Sequence, residues 1–263
     1  LILASLTILF AMILSACRPA ATGTNDATPQ AEASAQPTAT PEPPDELNIC
    51  LGVEPSSLYF YESSSQAMWA VLEAIYDGPV DMQRYTQVPV ILDRIPNTSD
   101  GSLIYQSVPA KAGDIVINIY GDPVKLEAGV EVYPSGCTTL DCSIIFDGYS
   151  EMSMDRLVAT FTLLPEVKWS DGEILKAQDS VFSFLVAANL DTPAWKRPID
   201  QTEAYEALDD RTARWISLPG LVTAEIADYF WLPLPEHILR GMSAKELLEA
   251  DETYQAATFP LGE

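Results

Sequence analysis

The chain has 263 residues, 48% of them hydrophobic, which suffices to bury a sizeable core in one large domain or two small ones. Its 38 acidic residues against 14 basic ones leave a formal net charge of -24, which argues against nucleic acid as a partner because phosphate binding needs a basic footprint. An acidic surface fits a well-solvated exported protein, and it could also steer cationic ligands.

Leu1 to Leu14 read LILASLTILFAMIL, an apolar run shorter than the ~20 residues needed to span a bilayer but suited to the core of a signal peptide. Leu14, Ser15, Ala16 and Cys17 then resemble a bacterial lipobox, so residues 1–16 are expected to be a lipoprotein signal peptide. Cys17 is expected to carry the lipid that ties the protein to a membrane. The other reading is an ordinary secretory signal with an incidental cysteine. No Met and no basic residue precede Leu1, as expected where the start is missing or a non-ATG codon has been read literally.

Residues 17–45 are rich in Pro, Thr and Ala, and from Arg18 to Asp45 six prolines and no large apolar side chain occur. Such a segment cannot build a core and reads as a disordered tether with a reach of roughly 30 Å. Glu46 to Gly52 alternate Leu47, Ile49 and Leu51 with polar neighbours, predicting the first strand of the body. Ser63, Ser64 and Ser65 offer N-caps to a helix whose Met68, Val71, Leu72, Ile75 and Tyr76 share one face, and Gly78 and Pro79 stop it. Short strands are predicted over Asp114 to Tyr120, Val124 to Tyr133, Ser143 to Phe146 and Leu157 to Leu163, split by GDP, PSG and DG turns. A helix follows over Ala177 to Asn189, with Val181, Phe184, Leu185 and Ala188 on one face, and then a strand over Thr212 to Leu218. Mixed strands and helices make the class α/β.

Cys137 and Cys142 stand close together among turn residues and are expected to form a local disulfide. A zinc pair is the competing reading, but two cysteines and the distant His237 fall short of four ligands. Cys50 is expected to be a buried thiol.

Several segments resemble the bacterial extracellular solute-binding proteins of family 5, which serve oligopeptide, dipeptide and nickel ABC importers. Thr160 to Phe184, TFTLLPEVKWSDGEILKAQDSVFSF, is similar to that family's strand, WSDG-type turn and following helix. Leu51 to Leu58 (LGVEPSSL), Ala74 to Asp81 (AIYDGPVD), Leu208 to Leu218 and Tyr229 to Leu239 (YFWLPLPEHIL) resemble flanking segments in the family's order. Tyr59 and Phe60 depart from the family's Asp-Pro, and Ile174 and Lys176 replace its Pro and Thr. Lys176 removes a good helix cap, a loss of ~1 kcal/mol unless Asp179 or the helix dipole compensates. The resemblance implies a periplasmic-binding-protein-like, type II bilobal fold, of which mainly lobe one is present, with a β-rich subdomain. Residues 46–66 and 211–263 would form the core subdomain of lobe one and residues 67–210 the β-rich subdomain, with an insertion at 97–155. The second lobe is expected to be absent through C-terminal truncation, because Pro260, Leu261 and Gly262 resemble the start of a family motif cut midway.

The function implied is that of an extracytoplasmic, lipid-anchored substrate-binding protein that captures peptides or similar extended solutes for an ABC permease and ATPase complex. A monomer is expected, with no cofactor and no metal. The resemblance points ligand contacts toward Glu54, Pro55, Ser56 and Ser57, and toward the nearby aromatics Trp69 and Tyr76. Each has a structural reading beside it: a turn cap for Glu54, the apolar helix face for Tyr76. No catalytic residue is assigned, since G-x-S-x-G, H-E-x-x-H, Walker A and G-x-G-x-x-G patterns are lacking. His237 after two prolines, and Asp171 and Gly172 in the WSDG turn, read as structural. Paired acids for glycoside hydrolysis have no distinguishing context. A secreted lipid-anchored hydrolase and a sensor lipoprotein uncoupled from transport are the alternatives.

Overall fold

A computed structural model describes residues 50–62 and 65–249, and the backbone of 261–262. The expected signal peptide 1–16, Cys17, the tether 17–45, Ser63 and Ser64 lie outside the described residues. Of the expected first strand, Cys50 to Gly52 are described and form none, and Cys50 and Leu51 are exposed. Both the strand there and the burial of Cys50 are thereby corrected. The physical reason is that no described strand pairs with these residues, so their backbone groups and side chains face solvent instead of a sheet.

Helix α1 (Gln66–Ile75) begins where Ser65 accepts a hydrogen bond from the Met68 N–H at 3.1 Å. Met68 and Leu72, one turn apart, are fully buried, and Tyr76 leaves the helix in extended geometry ahead of Gly78 and Pro79. Strands β1 (Val80–Gln83) and β2 (Thr86–Pro89) form a hairpin around Arg84 and Tyr85, both at positive φ, as a two-residue hairpin turn requires. Sequence periodicity did not point to this hairpin.

Next come β3 (Leu103–Ala110), β4 (Ile115–Ile117), β5 (Pro123–Lys125), β6 (Glu131–Val132), β7 (Ile144–Ile145) and β8 (Met152–Thr162). Beyond them lie β9 (Lys168–Trp169), β10 (Thr202–Ala207), β11 (Thr212–Ser217) and β12 (Leu261–Gly262). The main sheet is antiparallel in the order β10-β11-β8-β3, and β4-β5, β6-β7 and β9-β12 form two-stranded pairs. The single strand expected over Val124 to Tyr133 is therefore two strands. A turn at Glu127–Val130 intervenes, closed by the Val130 N–H on the Glu127 carbonyl and tied to the Phe146 carbonyl by the Gly129 N–H. The strand expected over Asp114 to Tyr120 stops at Ile117, because the Asn118 side chain accepts from the N–H groups of Tyr120 and Asp122 and turns the chain. Leu157 to Thr162 form the latter part of the longer β8, and Leu163 just beyond it makes an isolated bridge with Leu92.

Helices α2 (Ala177–Ala188), α3 (Arg197–Asp200), α4 (Glu236–Leu239) and α5 (Ala244–Glu249), with short 3-10 turns at Leu140–Cys142 and Ile226–Tyr229, complete the described elements. At the head of α2, Asp179 accepts from the Lys176 N–H at 2.9 Å, so the third helical residue supplies the cap that Lys176 cannot.

Alternation along β8 and β11 turns Leu157, Ala159, Phe161, Ala213 and Trp215 into the principal core, against α1, α2 and the 226–234 segment. Burying each large side chain there contributes about 1.5–3 kcal/mol. A second, smaller core of Ala110, Val116, Leu126, Val132, Phe146 and Met154 lies wholly within residues 97–155 apart from the main one. Gly220 joins the two: it has φ +90 and its N–H bonds the Asp155 carbonyl, while neighbouring Pro219 accepts from the Ile117 N–H. A side chain at that position would meet the Ile117 carbonyl oxygen at 2.6 Å, which only glycine avoids.

Candidate functional site

The segment Phe230-Trp231-Leu232-Pro233-Leu234-Pro235 cannot be helical, because two prolines remove N–H groups and restrict the residues before them. Its carbonyls are instead satisfied by α2, where Ser180 donates to the Trp231 carbonyl at 2.5 Å and Ser183 to the Leu232 carbonyl at 2.6 Å. The Tyr76 hydroxyl, at the end of α1, donates to the Pro233 carbonyl. Tyr61 bonds Ser183 Oγ at 2.8 Å, so the chain after the first turn is drawn to the same place. Aromatic rings fill the space between: Trp231 lies 4.6 Å from Phe184 and 4.8 Å from Tyr205, centroid to centroid.

Two adjoining cavities open on the outer side of this seam. One, of about 540 Å³, is walled by Phe60, Tyr61, Trp69, Trp195, Phe230 and Trp231, with Glu62 and Asp228 at its edges. The other, of about 670 Å³, runs between α1, the Asp77–Met82 stretch and residues 227–232. They share Trp69, Asp228, Phe230 and Leu232 and so form one groove. An aromatic-walled concavity with a few polar groups is what a small-solute site needs. The Asp228 carboxyl is held above the usual carboxylate range, first by desolvation and then by neighbouring Glu225.

Of the residues singled out in the sequence, Trp69 and Tyr76 meet in the larger cavity. Glu54, Pro55, Ser56 and Ser57 line neither. Glu54 and Ser56 are exposed, whereas Ser57 is buried and its Oγ accepts from the Tyr59 N–H at 2.9 Å, a local turn contact. Sequence reasoning missed Phe60, Trp195, Asp228, Phe230 and Trp231 as groove residues. Two signals were present: the departure at Phe60 and the aromatic density of Tyr229-Phe230-Trp231.

The WSDG turn serves a separate network. Gly172, at φ +92, bonds the Trp169 carbonyl, and Asp171 contacts His237 Nε2 at 2.8 Å. That contact, followed by the Glu173 N–H, holds the Asp171 carboxyl below its ordinary range. Asp179 is buried and accepts from the Lys176 and Glu236 N–H groups and from Trp169 Nε1 at 2.9, 3.0 and 3.3 Å. Burial outweighs those donors and raises its carboxyl. Cys137 and Cys142 form a disulfide with Cα atoms 5.7 Å apart. Among the described residues no group of three or more His, Cys, Asp or Glu is placed to hold a metal ion.

The sheet strands β8 and β11 and helix α2, which carry the groove's inner wall, fall within a stretch with known relatives. Residues 145–217 match the family described as bacterial extracellular solute-binding proteins, family 5 Middle. This is the family the flanking motifs resemble, and the described body is mixed α/β, as that resemblance implies.

Three solved structures illustrate the likeness. An oligopeptide-binding protein from Thermus thermophilus, complexed with a pentapeptide, is 16% identical over 77% of this chain and 29% of its own, with a TM-score of 0.44. The oligopeptide-binding protein AppA from Bacillus subtilis, in complex with a nonapeptide, is 15% identical over 80% and 31%, with a TM-score of 0.49. A periplasmic oligopeptide-binding protein from Borrelia burgdorferi is 14% identical over 74% and 32%, with a TM-score of 0.43. The chain thus spans about three-tenths of the length of these structures. No curated protein sequence matches the chain.

Proposed function

We propose that this chain belongs to a substrate-binding protein of an ABC importer that captures peptides or similarly extended small solutes outside the cell. The observation that carries the reading is the family 5 match at residues 145–217, whose sheet and helix α2 support the aromatic groove. In this reading the groove is one wall of a ligand cleft, and Trp69 on α1 and Tyr76 just beyond its end contribute contacts. Residues 67–210 act as the β-rich subdomain, flanked by core from 46–66 and 211–263. Cys17 carries the lipid that holds the protein at the membrane beside its permease and ATPase partners, and the protein works as a monomer.

Calorimetry and tryptophan fluorescence against a peptide library, with oligosaccharides and metal chelates alongside, test the capture step. Saturable binding of a peptide without turnover is the expected result. Hydrolysis of any of these compounds, or silence toward all of them, refutes the proposal. For the anchor, a clickable palmitate should label the wild type and not Cys17→Ser; equal labelling and equal membrane retention of both refute it.

A further inference from the structure

We infer that the groove takes an organic cation, an ammonium or guanidinium head on an apolar stem, seated against Asp228 and the faces of Trp69 and Trp195. The inference deepens the solute-capture reading and rests on it. Its first support is charge. Every charged side chain lining the two adjoining cavities is acidic: Glu62 and Asp228 in the smaller, Glu73, Asp77, Asp81 and Asp228 in the larger. A third cavity of about 310 Å³ touches Asp228 as well, and its wall includes Arg197, but that guanidinium is directed to the Tyr120 carbonyl and toward Asp122.

The second support is position. Asp228 lines all three cavities, Trp69 lines the first two, and Trp195 lines the smaller of these and the third, so the carboxylate stands where the aromatic walls converge. Trp69 is 40% exposed and Trp195 71%, so each keeps indole surface open to a ligand. An indole face attracts a cation and an apolar stem alike, and a nearby carboxylate adds a charge partner.

The third support is availability. Asp228 is exposed, no other described side chain pairs with its carboxylate, and Glu225 stands near it as a second negative charge. A bound cation relieves that repulsion, whereas an anionic ligand would add to it.

The test uses three tripeptides that differ at one side chain: Ala-Lys-Ala, Ala-norleucine-Ala and Ala-Glu-Ala. Norleucine keeps an apolar stem and lacks the ammonium. Titration of the purified protein at 0.15 M salt, followed by tryptophan fluorescence and calorimetry, should show the lysine peptide binding about tenfold tighter than the norleucine one, with the glutamate peptide weakest. Asp228→Asn should abolish most of the lysine preference. Trp69→Leu should weaken the lysine peptide several-fold more than the norleucine peptide. Glu127→Gln, which removes an exposed charge on the far β-rich part, controls for net charge and should change nothing. Equal affinities for the lysine and norleucine peptides, or equal losses in Asp228→Asn and Glu127→Gln, overturn the cation assignment while leaving solute capture intact. Silence toward all three peptides overturns it too; solute capture itself falls only if the wider library is also silent.

Discussion

Ser180 on α2 donates its single hydroxyl proton to the Trp231 carbonyl, so the Tyr205 hydroxyl, 2.7 Å from Ser180 Oγ, must be the donor to that serine oxygen. One buried serine thus satisfies a helix-facing loop carbonyl and a sheet phenol together, and burial raises the Tyr205 phenol well above its ordinary range. Ser180→Ala leaves both partners buried without it, and a loss of about 2–3 kcal/mol is expected. Urea unfolding should show a lower midpoint at an unchanged slope, with altered tryptophan emission from the freed Trp231 segment. An unchanged midpoint would mean that solvent reaches the seam.

Asp171 and Asp179 sit in one network and respond oppositely to pH. The folded Asp171 carboxyl is depressed, so its contribution is present above its unfolded pKa and is lost as pH falls through the folded value. Asp179 is raised, so its charged form is disfavoured by folding, and stability declines as pH climbs from its unfolded toward its folded value. Asp171→Asn should therefore flatten the acid limb of the stability profile between about pH 2 and 5, while wild type loses stability there. Parallel profiles for the two proteins would contradict the Asp171–His237 contact.

Pairing of Cys137 with Cys142 closes a loop of about six residues and should stabilise its surroundings by ~2 kcal/mol in the chain-entropy model. Because Cys50 is exposed, it should alkylate under native conditions. Intact-mass measurement on protein lacking Cys17 should give one label without reductant and three after reduction. Three labels in both conditions would exclude the disulfide.

At Gly220, alanine must adopt a positive φ and approach the Ile117 carbonyl within 2.6 Å, so Gly220→Ala should cost more than about 1 kcal/mol. The loss should fall on the junction of the two cores, and hydrogen exchange should show earlier opening of the Ile117 amide, which bonds the Pro219 carbonyl. Unchanged exchange at Ile117 would locate the cost elsewhere.

Local signals carried much of the fold. The capped helix after Ser65, α2 with its Asp179 cap, the WSDG turn and strand β11 were all legible, because each depends on residues within a few positions of one another. Longer strand assignments failed where a side chain competed for the backbone. Asn118 ended one strand early, and the Glu127–Val130 turn, tied to the Phe146 carbonyl through the Gly129 N–H, divided another. A run of β-forming residues does not reveal such a turn when one of its anchors lies elsewhere in the chain.

The candidate site divided along the same line. Trp69 and Tyr76, which the family resemblance singled out, line the groove, whereas Glu54 to Ser57 do not and Asp228 carried no signal in the sequence. The sequence by itself determined the α/β class, the family resemblance, the acidic balance and the positions of the helix caps. Only the tertiary structure decided which aromatic rings remain open, and that Trp69, Trp195 and Asp228 face one concavity. Those residues come from three separate segments, and contacts between distant segments leave no periodic trace in any one of them.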